Sequence, residues 1–141
     1  EYPDWVNTIA VTSDGQFVFI RQYRHGLQQT SYELCAGVCE KEDASPLASA
    51  QRELLEETGY GNGSWQEYMQ ISPNPSTHTN ITYCFLATGV EKISEQHLED
   101  TESLSVHLLT LAEVKELLQK GEIKQALMAA PLWKYIAEKG L

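Results

Sequence analysis

Cysteines, long apolar runs and basic residues are all scarce in this 141-residue sequence. The three cysteines are an odd number, and none belongs to a C-x-x-C pair. We therefore expect neither a disulfide framework nor a zinc site built on thiolates. No run reaches the roughly 18 apolar residues of a membrane-spanning helix, and no secretory signal is visible. These absences predict reduced, structural thiols in a cytoplasmic protein that has no membrane segment.

The length suits one domain with a sizeable core, and we expect residues 1–141 to form a single domain. The composition is that of an ordinary soluble protein, with 42% apolar and 21% charged residues. The first residue is Glu, and strand-like sequence begins almost at once. Such a start is expected of a chain that has lost an N-terminal segment.

Basic residues are outnumbered two to one, with 10 Lys and Arg against 20 Asp and Glu, for a net charge of −10. Half of that net charge lies between residues 33 and 57. Such a surface repels a polyanion, so we exclude DNA as a partner. A small anionic substrate could still bind if divalent cations accompanied it.

The first half of the chain predicts a hairpin and then a capped helix. Asp14-Gly15 separates two strand-like runs, near 5–11 and 16–23. A short strand at 31–34 leads into an acidic loop at 35–46. Ser45 is a predicted N-cap with Pro46 at the first helical position, and Gly59 ends the helix after about residue 58.

The second half adds strands and two helices. Strands are predicted at 65–72, 81–88 and 104–110, with a proline-containing loop at 73–80 and an acidic loop at 91–103. Thr110 and Glu113 form a predicted capping box for a helix that ends near Gly121. A last helix over 123–139 should break or kink at Pro131. This mixture predicts an α/β fold with a mixed sheet covered by helices.

The segment "QRELLEETGY" at 51–60 breaks a local rule. Glu53, Glu56 and Glu57 share one face at the C-terminal end of the predicted helix, where the helix dipole disfavours anions. A solvated acidic face is one interpretation. The other is a site for a hard divalent cation, since Mg²⁺ combines carboxylate oxygens with substrate phosphates and waters. A local conflict of this kind is typical of a functional site.

The same region resembles the Nudix box, G-x5-E-x7-R-E-U-x-E-E-x-G-U, in which U is a bulky apolar residue. "RELLEETGY" matches at every specified position of the second half. In the first half Gly37 is present, but Asp43 stands where Glu is expected. Eight residues rather than seven then separate Asp43 from Arg52. The extra residue falls in the predicted loop, and it leaves the role of Asp43 open.

This resemblance to the Nudix hydrolase family implies an α/β/α sandwich and a metal-dependent pyrophosphohydrolase. It implies that Glu53, Glu56 and Glu57 bind Mg²⁺ or Mn²⁺, with the backbone carbonyl of Ala36 as a further ligand. Arg52 would orient the glutamates. The family hydrolyses a nucleoside diphosphate linked to another group, so the partner is a small molecule.

Further similarity points to the ADP-ribose and ADP-sugar pyrophosphatase branch. A strand ending in Q-Y-R precedes "ELCAG", with Cys35 in place of the branch's usual proline. The resemblance makes Arg24 a diphosphate-binding residue and places Glu33 and Gly37 at the substrate site. The expected substrate is ADP-ribose or another nucleotide sugar, and a homodimer is expected. The loop at 73–80 departs from the branch's pattern, because Asn74 replaces Gly and His78 lies near the usual Glu.

The acidic loop before the strand at 104–110 resembles the branch's catalytic loop, in which an acid acts as base or metal ligand. Asp100 and Glu102 are the candidates, and Glu99 is the spare. A solubilising loop is the alternative interpretation. Two other functions stay open: a MutT-like nucleoside triphosphate pyrophosphatase that uses the same site, and a Nudix nucleotide sensor without catalysis.

Overall fold

The computed structural model describes residues 3–24, 29–77, 79–98 and 104–140. Of residues 23, 24 and 29 it describes the backbone alone. None of the helices in these ranges has the length and apolar character that crossing a membrane requires. The strands are β1 (Trp5–Thr12), β2 (Phe17–Arg24), β3 (Gln29–Glu33), β4 (Cys35–Val38), β5 (Tyr60–Gly61), β6 (Ser64–Ile71), β7 (Thr82–Lys92) and β8 (Leu104–Leu109); the helices are α1 (Pro46–Thr58), α2 (Leu111–Gln119) and α3 (Ala126–Glu138).

The sheet is mixed, with β1 and β7 as its parallel centre. β6 and β5 pair with β7 in antiparallel fashion on the far side. One edge of β1 is shared between two partners: β4 pairs with it over residues 5–8, and β2 meets it at Val11. β2 also pairs with β3 and β8. In the strand order β3-β2-β1-β7-β5, β2 and β4 therefore both pair with the same edge of β1.

Helices cover both faces, which confirms the predicted α/β/α sandwich. Alternating residues of β1 and β2, such as Ile9 and Phe19, join the larger apolar cluster with α2 and α3. The opposite residues, such as Ala10 and Val18, pack with Leu54 of α1 in a smaller cluster. The alternation of the strand sequences thus divides the core between the two helical layers.

One short element differs from the prediction. Residues 35–38 were expected to begin the acidic loop, but they form β4 and pair with Trp5–Thr8 of β1. The prediction failed because this strand has only four residues, and its pairing partner lies about thirty residues away in the sequence. Strand β4 ends at Val38, and the chain continues from there into the loop before α1.

The last helix runs continuously through Pro131, so the predicted break is absent. Proline has no N–H, and the carbonyl of Leu127, four residues earlier, therefore lacks its helical donor. The side-chain amide of Asn7 donates to that carbonyl at 2.9 Å. A strand residue thus supplies a donor in place of the missing N–H.

Candidate active site

Helix α1 has well-defined ends. The Ser45 hydroxyl accepts a hydrogen bond from the Ala48 N–H at 3.1 Å, and Pro46 begins the helix. Gly59 closes it in the left-handed region at φ 79°, with its N–H donating to the Leu55 carbonyl at 2.8 Å. These caps place all three glutamates in the final two turns, where the helix has no basic residue in its last turn. The predicted electrostatic conflict is therefore present.

Arg52 connects the loop before α1 to two of the glutamates. Its Nε and Nη2 atoms donate to both carboxylate oxygens of Asp43, at 3.0 and 2.9 Å. Its Nη1 atom contacts Glu53 at 3.4 Å and Glu56 at 3.3 Å. The stronger contact is thus bidentate to Asp43, and the arginine approaches the two glutamates from that anchor.

Asp43 keeps a defined position despite the inserted residue. The Ser49 hydroxyl donates to it at 2.6 Å, and the Glu40 N–H donates to it at 3.0 Å. Hydrogen bonds from Arg52 and then Ser49 hold the pKa of Asp43 well below its usual range. The loop absorbs the extra residue while Asp43 still reaches Arg52. The sequence left the role of Asp43 open, and the structure shows it as the main partner of the arginine.

Gly37 lies in β4, directly against Glu53. A Cβ atom built on Gly37 would lie 2.1 Å from Glu53 Oε2, so no larger residue fits while Glu53 keeps this position. Its neighbour Ala36 pairs with Asn7 of β1. The β4 strand therefore brings backbone groups up to the glutamate face of α1.

Glu57 is buried, with 9% of its surface exposed. The Cys35 thiol donates to its Oε1 at 2.9 Å. In the sequence, Cys35 stands where the resembled branch has proline. That substitution was the available signal, because a thiol supplies a donor where proline supplies none.

The donor set suits a hard divalent cation. Within the described residues, no three carboxylate, thiol or imidazole side chains already form a group that could hold a metal ion. Glu53 and Glu56 contact Arg52 instead, and Glu57 contacts Cys35. The three carboxylates nonetheless share one helix face beside β4, which carries the Ala36 carbonyl. By donor type and by helix face the residues fit Mg²⁺ or Mn²⁺.

The other predicted site residues are placed only in part. Glu33 is buried at the end of β3, where it accepts a hydrogen bond from the Ser31 hydroxyl at 3.1 Å. Arg24 ends β2, and its side chain lies outside the described part of the chain. The candidates Asp100 and Glu102, the spare Glu99, and His78 also lie outside the described residues.

The segment before the candidate catalytic loop is attached to the end of α1. The His97 N–H donates to the Glu56 carbonyl at 2.8 Å, and the Gln96 side chain donates to the Glu57 carbonyl at 2.7 Å. Both hydrogen bonds satisfy carbonyls that a helix end leaves without partners. Residues 96 and 97 therefore lie at the C-terminal end of α1, only a few residues before Asp100 in the sequence.

The chain is similar to several known proteins. The family model described as NUDIX domain matches residues 2–130. The ADP-ribose pyrophosphatase of Bacillus subtilis is 31% identical over 127 residues, which cover 89% of this chain and 68% of the relative. The methanol dehydrogenase activator of Bacillus methanolicus is 30% identical, and the matched region covers 66% of that relative. The chain thus spans about two thirds of the length of these relatives.

Solved structures share the fold. The crystal structure of an ADP compounds hydrolase superposes with a TM-score of 0.82 at 21% identity, covering 97% of this chain and 74% of that one. A NUDIX hydrolase from Nitrosomonas europaea gives a TM-score of 0.68 at 17% identity, covering 99% and 91%. At these identities the likeness concerns the fold alone. The family model over residues 2–130 shows that this chain belongs to the Nudix family.

Proposed function

We propose that this chain is a Mg²⁺- or Mn²⁺-dependent pyrophosphohydrolase that cleaves a nucleoside diphosphate linked to another group. The products are a nucleoside monophosphate and the phosphate of that group. The observation that carries the proposal is the glutamate face of α1, held between Arg52 and β4. Three acids at the negative end of a helix oppose the helix dipole, and a bound cation removes that conflict.

The residues that would hold the metal are Glu53, Glu56 and Glu57, with the backbone carbonyl of Ala36. When bound, the metal offsets the negative charge of the diphosphate and lowers the pKa of a water molecule. Arg52 orients Glu53 and Glu56, and Asp43 holds the guanidinium in place. Cys35 keeps the Glu57 carboxylate in its buried position. Gly37 leaves the space that Glu53 occupies.

The proposed base lies in the loop after β7, where Asp100 and Glu102 are the candidates. A general base must reach the attacking water within hydrogen-bond distance. The attachment of residues 96–97 to the end of α1 supports this assignment, because it brings the chain to the glutamate helix just before the two acids. Arg24 and Glu33 are the proposed substrate-binding residues, with Arg24 on the diphosphate.

The proposed substrate is ADP-ribose or a related nucleotide sugar. Two relatives at 31% and 28% identity bear the name ADP-ribose pyrophosphatase. A third, at 26% identity, bears the name GDP-mannose pyrophosphatase. We also propose a cytoplasmic homodimer, and light scattering of the purified chain tests the dimer.

The test is a substrate panel. ADP-ribose, GDP-mannose and dGTP are incubated with the protein, with and without Mg²⁺, and the release of phosphate monoesters is measured. We expect turnover of a nucleotide sugar only with metal. Preferred turnover of dGTP would instead support a triphosphate pyrophosphatase. Tight binding without turnover of any member would indicate a nucleotide sensor and contradict the proposal.

A further inference from the structure

The C-terminal end of α1 is capped by a segment from a distant part of the chain, residues 93–97, which we call the capping segment. The N–H groups of Ile93 and Ser94 both donate to the Gly59 carbonyl, at 2.8 and 3.1 Å. The approach is so close that a Cβ atom built on Gly59 would overlap the Ser94 carbonyl oxygen. Glycine is therefore needed here for the docking of the capping segment as well as for the left-handed turn.

Two further hydrogen bonds from the capping segment fall on the carbonyls of proposed metal ligands. The His97 N–H donates to the Glu56 carbonyl at 2.8 Å. The Gln96 side-chain amide donates to the Glu57 carbonyl at 2.7 Å, across 39 residues of sequence. Both carbonyls belong to the last turn of α1. The capping segment thus holds the main chain from which the Glu56 and Glu57 side chains project.

Helices α2 and α3 end differently, because the residues directly after them supply donors to their last carbonyls. After α2, the N–H groups of Gly121 and Glu122 donate to two of these carbonyls, at 3.1 and 2.9 Å. After α1 the chain enters β5 at once, and the Tyr60 N–H donates to the Thr58 hydroxyl instead. A helix that leads directly into a strand leaves its last carbonyls to be satisfied by other parts of the protein.

The side-chain donor of the capping segment is neutral. Lysine and arginine are favoured near the C-terminal end of a helix, where they complement the dipole. A cation at position 96 would also lie near the glutamates and compete with a bound metal ion. The Gln96 amide gives the carbonyl its hydrogen bond and adds no charge, so it suits a helix end that has to receive a cation.

We propose that Gln96 is a positioning residue for the metal site. By holding the Glu57 carbonyl, it fixes the last turn of α1 so that Glu56 and Glu57 face the cation together. The inference rests on the proposed metal site and does not depend on which nucleotide is hydrolysed. Gln96 acts through the main chain of α1, so its loss should weaken metal binding without abolishing it.

The first test uses Gln96→Met, which keeps the length of the side chain and removes the donor. Mn²⁺ is titrated into the protein by calorimetry, without substrate. The variant should bind Mn²⁺ about two- to tenfold more weakly than the parent protein, because one hydrogen bond that orders the last turn is lost. Hydrogen exchange of the metal-free variant should also be faster at the His97 amide than in the parent protein.

Gln70→Met is the matched control. Gln70 is an exposed glutamine on β6, and its amide contacts Glu67 at 3.3 Å. This variant should keep the Kd of the parent protein for Mn²⁺. An unchanged Kd in Gln96→Met would overturn the proposal even if the melting temperature fell, because Gln96 would then have only a structural role.

The behaviour of the parent protein separates this inference from the proposed function. If the parent protein binds Mn²⁺ but hydrolyses no nucleotide, the proposed reaction is wrong, and the titration of Gln96→Met still decides the role of Gln96. If the parent protein binds no Mn²⁺ at millimolar concentration, the proposed metal site and the role of Gln96 are overturned together.

Gly59→Asn tests the docking of the whole capping segment. Asn tolerates the left-handed region, as Asn62 does in this chain at φ 59°, so the variant can still end the helix. Its Cβ atom would displace the Ser94 carbonyl, and Mn²⁺ binding should weaken at least as much as in Gln96→Met.

Gly121→Asn is the control for this second test, because Gly121 has φ 71° and open space where a Cβ atom would lie. Its affinity for Mn²⁺ should equal that of the parent protein. Parent-like affinity in Gly59→Asn would overturn the proposal. If Gly59→Asn does not fold, the titration of Gln96→Met decides.

Discussion

Helices α1 and α2 differ in how their acidic residues are placed and paired. In α2, Glu113 lies in the first turn and completes a capping box with Thr110, at 2.8 and 3.1 Å. Lys120 follows the last turn and pairs with Glu116 at 2.6 Å. In α1 the acids lie in the last two turns, with no basic residue in the last turn and no acid in the first.

This difference is expected if the charges of α2 stabilise the fold and the acids of α1 serve the proposed metal site. On α2, Glu113 agrees with the helix dipole, and Glu116 pairs with Lys120 one turn away. The acids of α1 oppose the dipole and one another, and Arg52 contacts Glu53 and Glu56. The predictions below test whether α1 and α2 differ in function as they differ in electrostatics.

The largest effect is expected for Glu57→Gln. Turnover of the best nucleotide sugar should fall by about 100-fold or more, because a proposed metal ligand is neutralised. Without metal, the melting temperature should stay equal or rise, since one of three like charges is removed and Gln keeps an acceptor for the Cys35 thiol. Steady-state kinetics and a thermal melt in EDTA check both. Hydrolysis that survives within a few-fold would refute the metal-site assignment.

A loss of similar size is expected from one of two loop variants, Asp100→Asn or Glu102→Gln. Substitution of the acid that acts as the base should lower kcat by about 10²- to 10⁴-fold and leave substrate binding largely intact. The other acid then serves as the control in the same loop. Retention of activity in both variants would indicate that the loop is only solubilising.

Divalent metal should raise the melting temperature of the parent protein, and it should raise that of the Glu57→Gln variant less. Binding to the folded state alone adds about 2.7 kcal/mol when the metal concentration is 100 times Kd, and so raises the melting temperature by several degrees. The shift should shrink in Glu57→Gln. A thermal melt across millimolar Mg²⁺ or Mn²⁺ provides the measurement, with Ca²⁺ for comparison. An unchanged melt for the parent protein would count against the metal site itself.

Asp43→Asn should affect both stability and catalysis, but less strongly. Asn cannot form the charged bidentate contact with Arg52, so the arginine loses its anchor beside Glu53 and Glu56. The pKa of Asp43 is lowered by folding, so its stabilising effect is present above the ordinary pKa of about 4 and is lost progressively as the pH falls from there towards the lowered pKa. The difference in melting temperature between parent and variant should accordingly shrink as the pH is lowered below about 4. A difference that does not change with pH in this range would assign the effect to packing.

The smallest effect on activity is expected for a substitution at the N-cap of α2. Thr110→Ala removes the N-cap and should cost about 1 kcal/mol of stability, while kcat and KM of the hydrolysis stay unchanged. Denaturant unfolding and the substrate assay measure the two outcomes on one sample. Together with Glu57→Gln, this variant forms a crossed pair in which one change lowers activity and the other lowers stability. A drop in activity for Thr110→Ala would weaken the contrast between the two helices.

Local chemistry made much of the fold predictable. The hairpin at Asp14-Gly15 was confirmed, because the left-handed Gly15 makes the turn where the strand pattern changes. Helix α1 begins after Ser45 and ends at Gly59 as predicted, and the capping box of α2 is present. Each of these depends on residues within a few positions of one another, whose preferences are readable from the sequence.

Contacts between distant residues were not predictable in this way. The four residues of β4 become a strand because β1 offers an open edge over residues 5–8. Cys35 and Glu57 are 22 residues apart, and their hydrogen bond exists only because β4 packs against α1. Neither the strand nor the hydrogen bond has a signal in local periodicity.

By itself, the sequence determined the family and the acidic face of α1, since the spacing of Arg52, Glu53, Glu56 and Glu57 on a helix follows from 3.6 residues per turn. Tertiary structure alone decided that the last helix would pass through Pro131. The Asn7 amide that donates to the Leu127 carbonyl comes from 120 residues away. Helical periodicity is a property of neighbouring residues, but a missing hydrogen bond can be replaced by any donor that folding brings within reach.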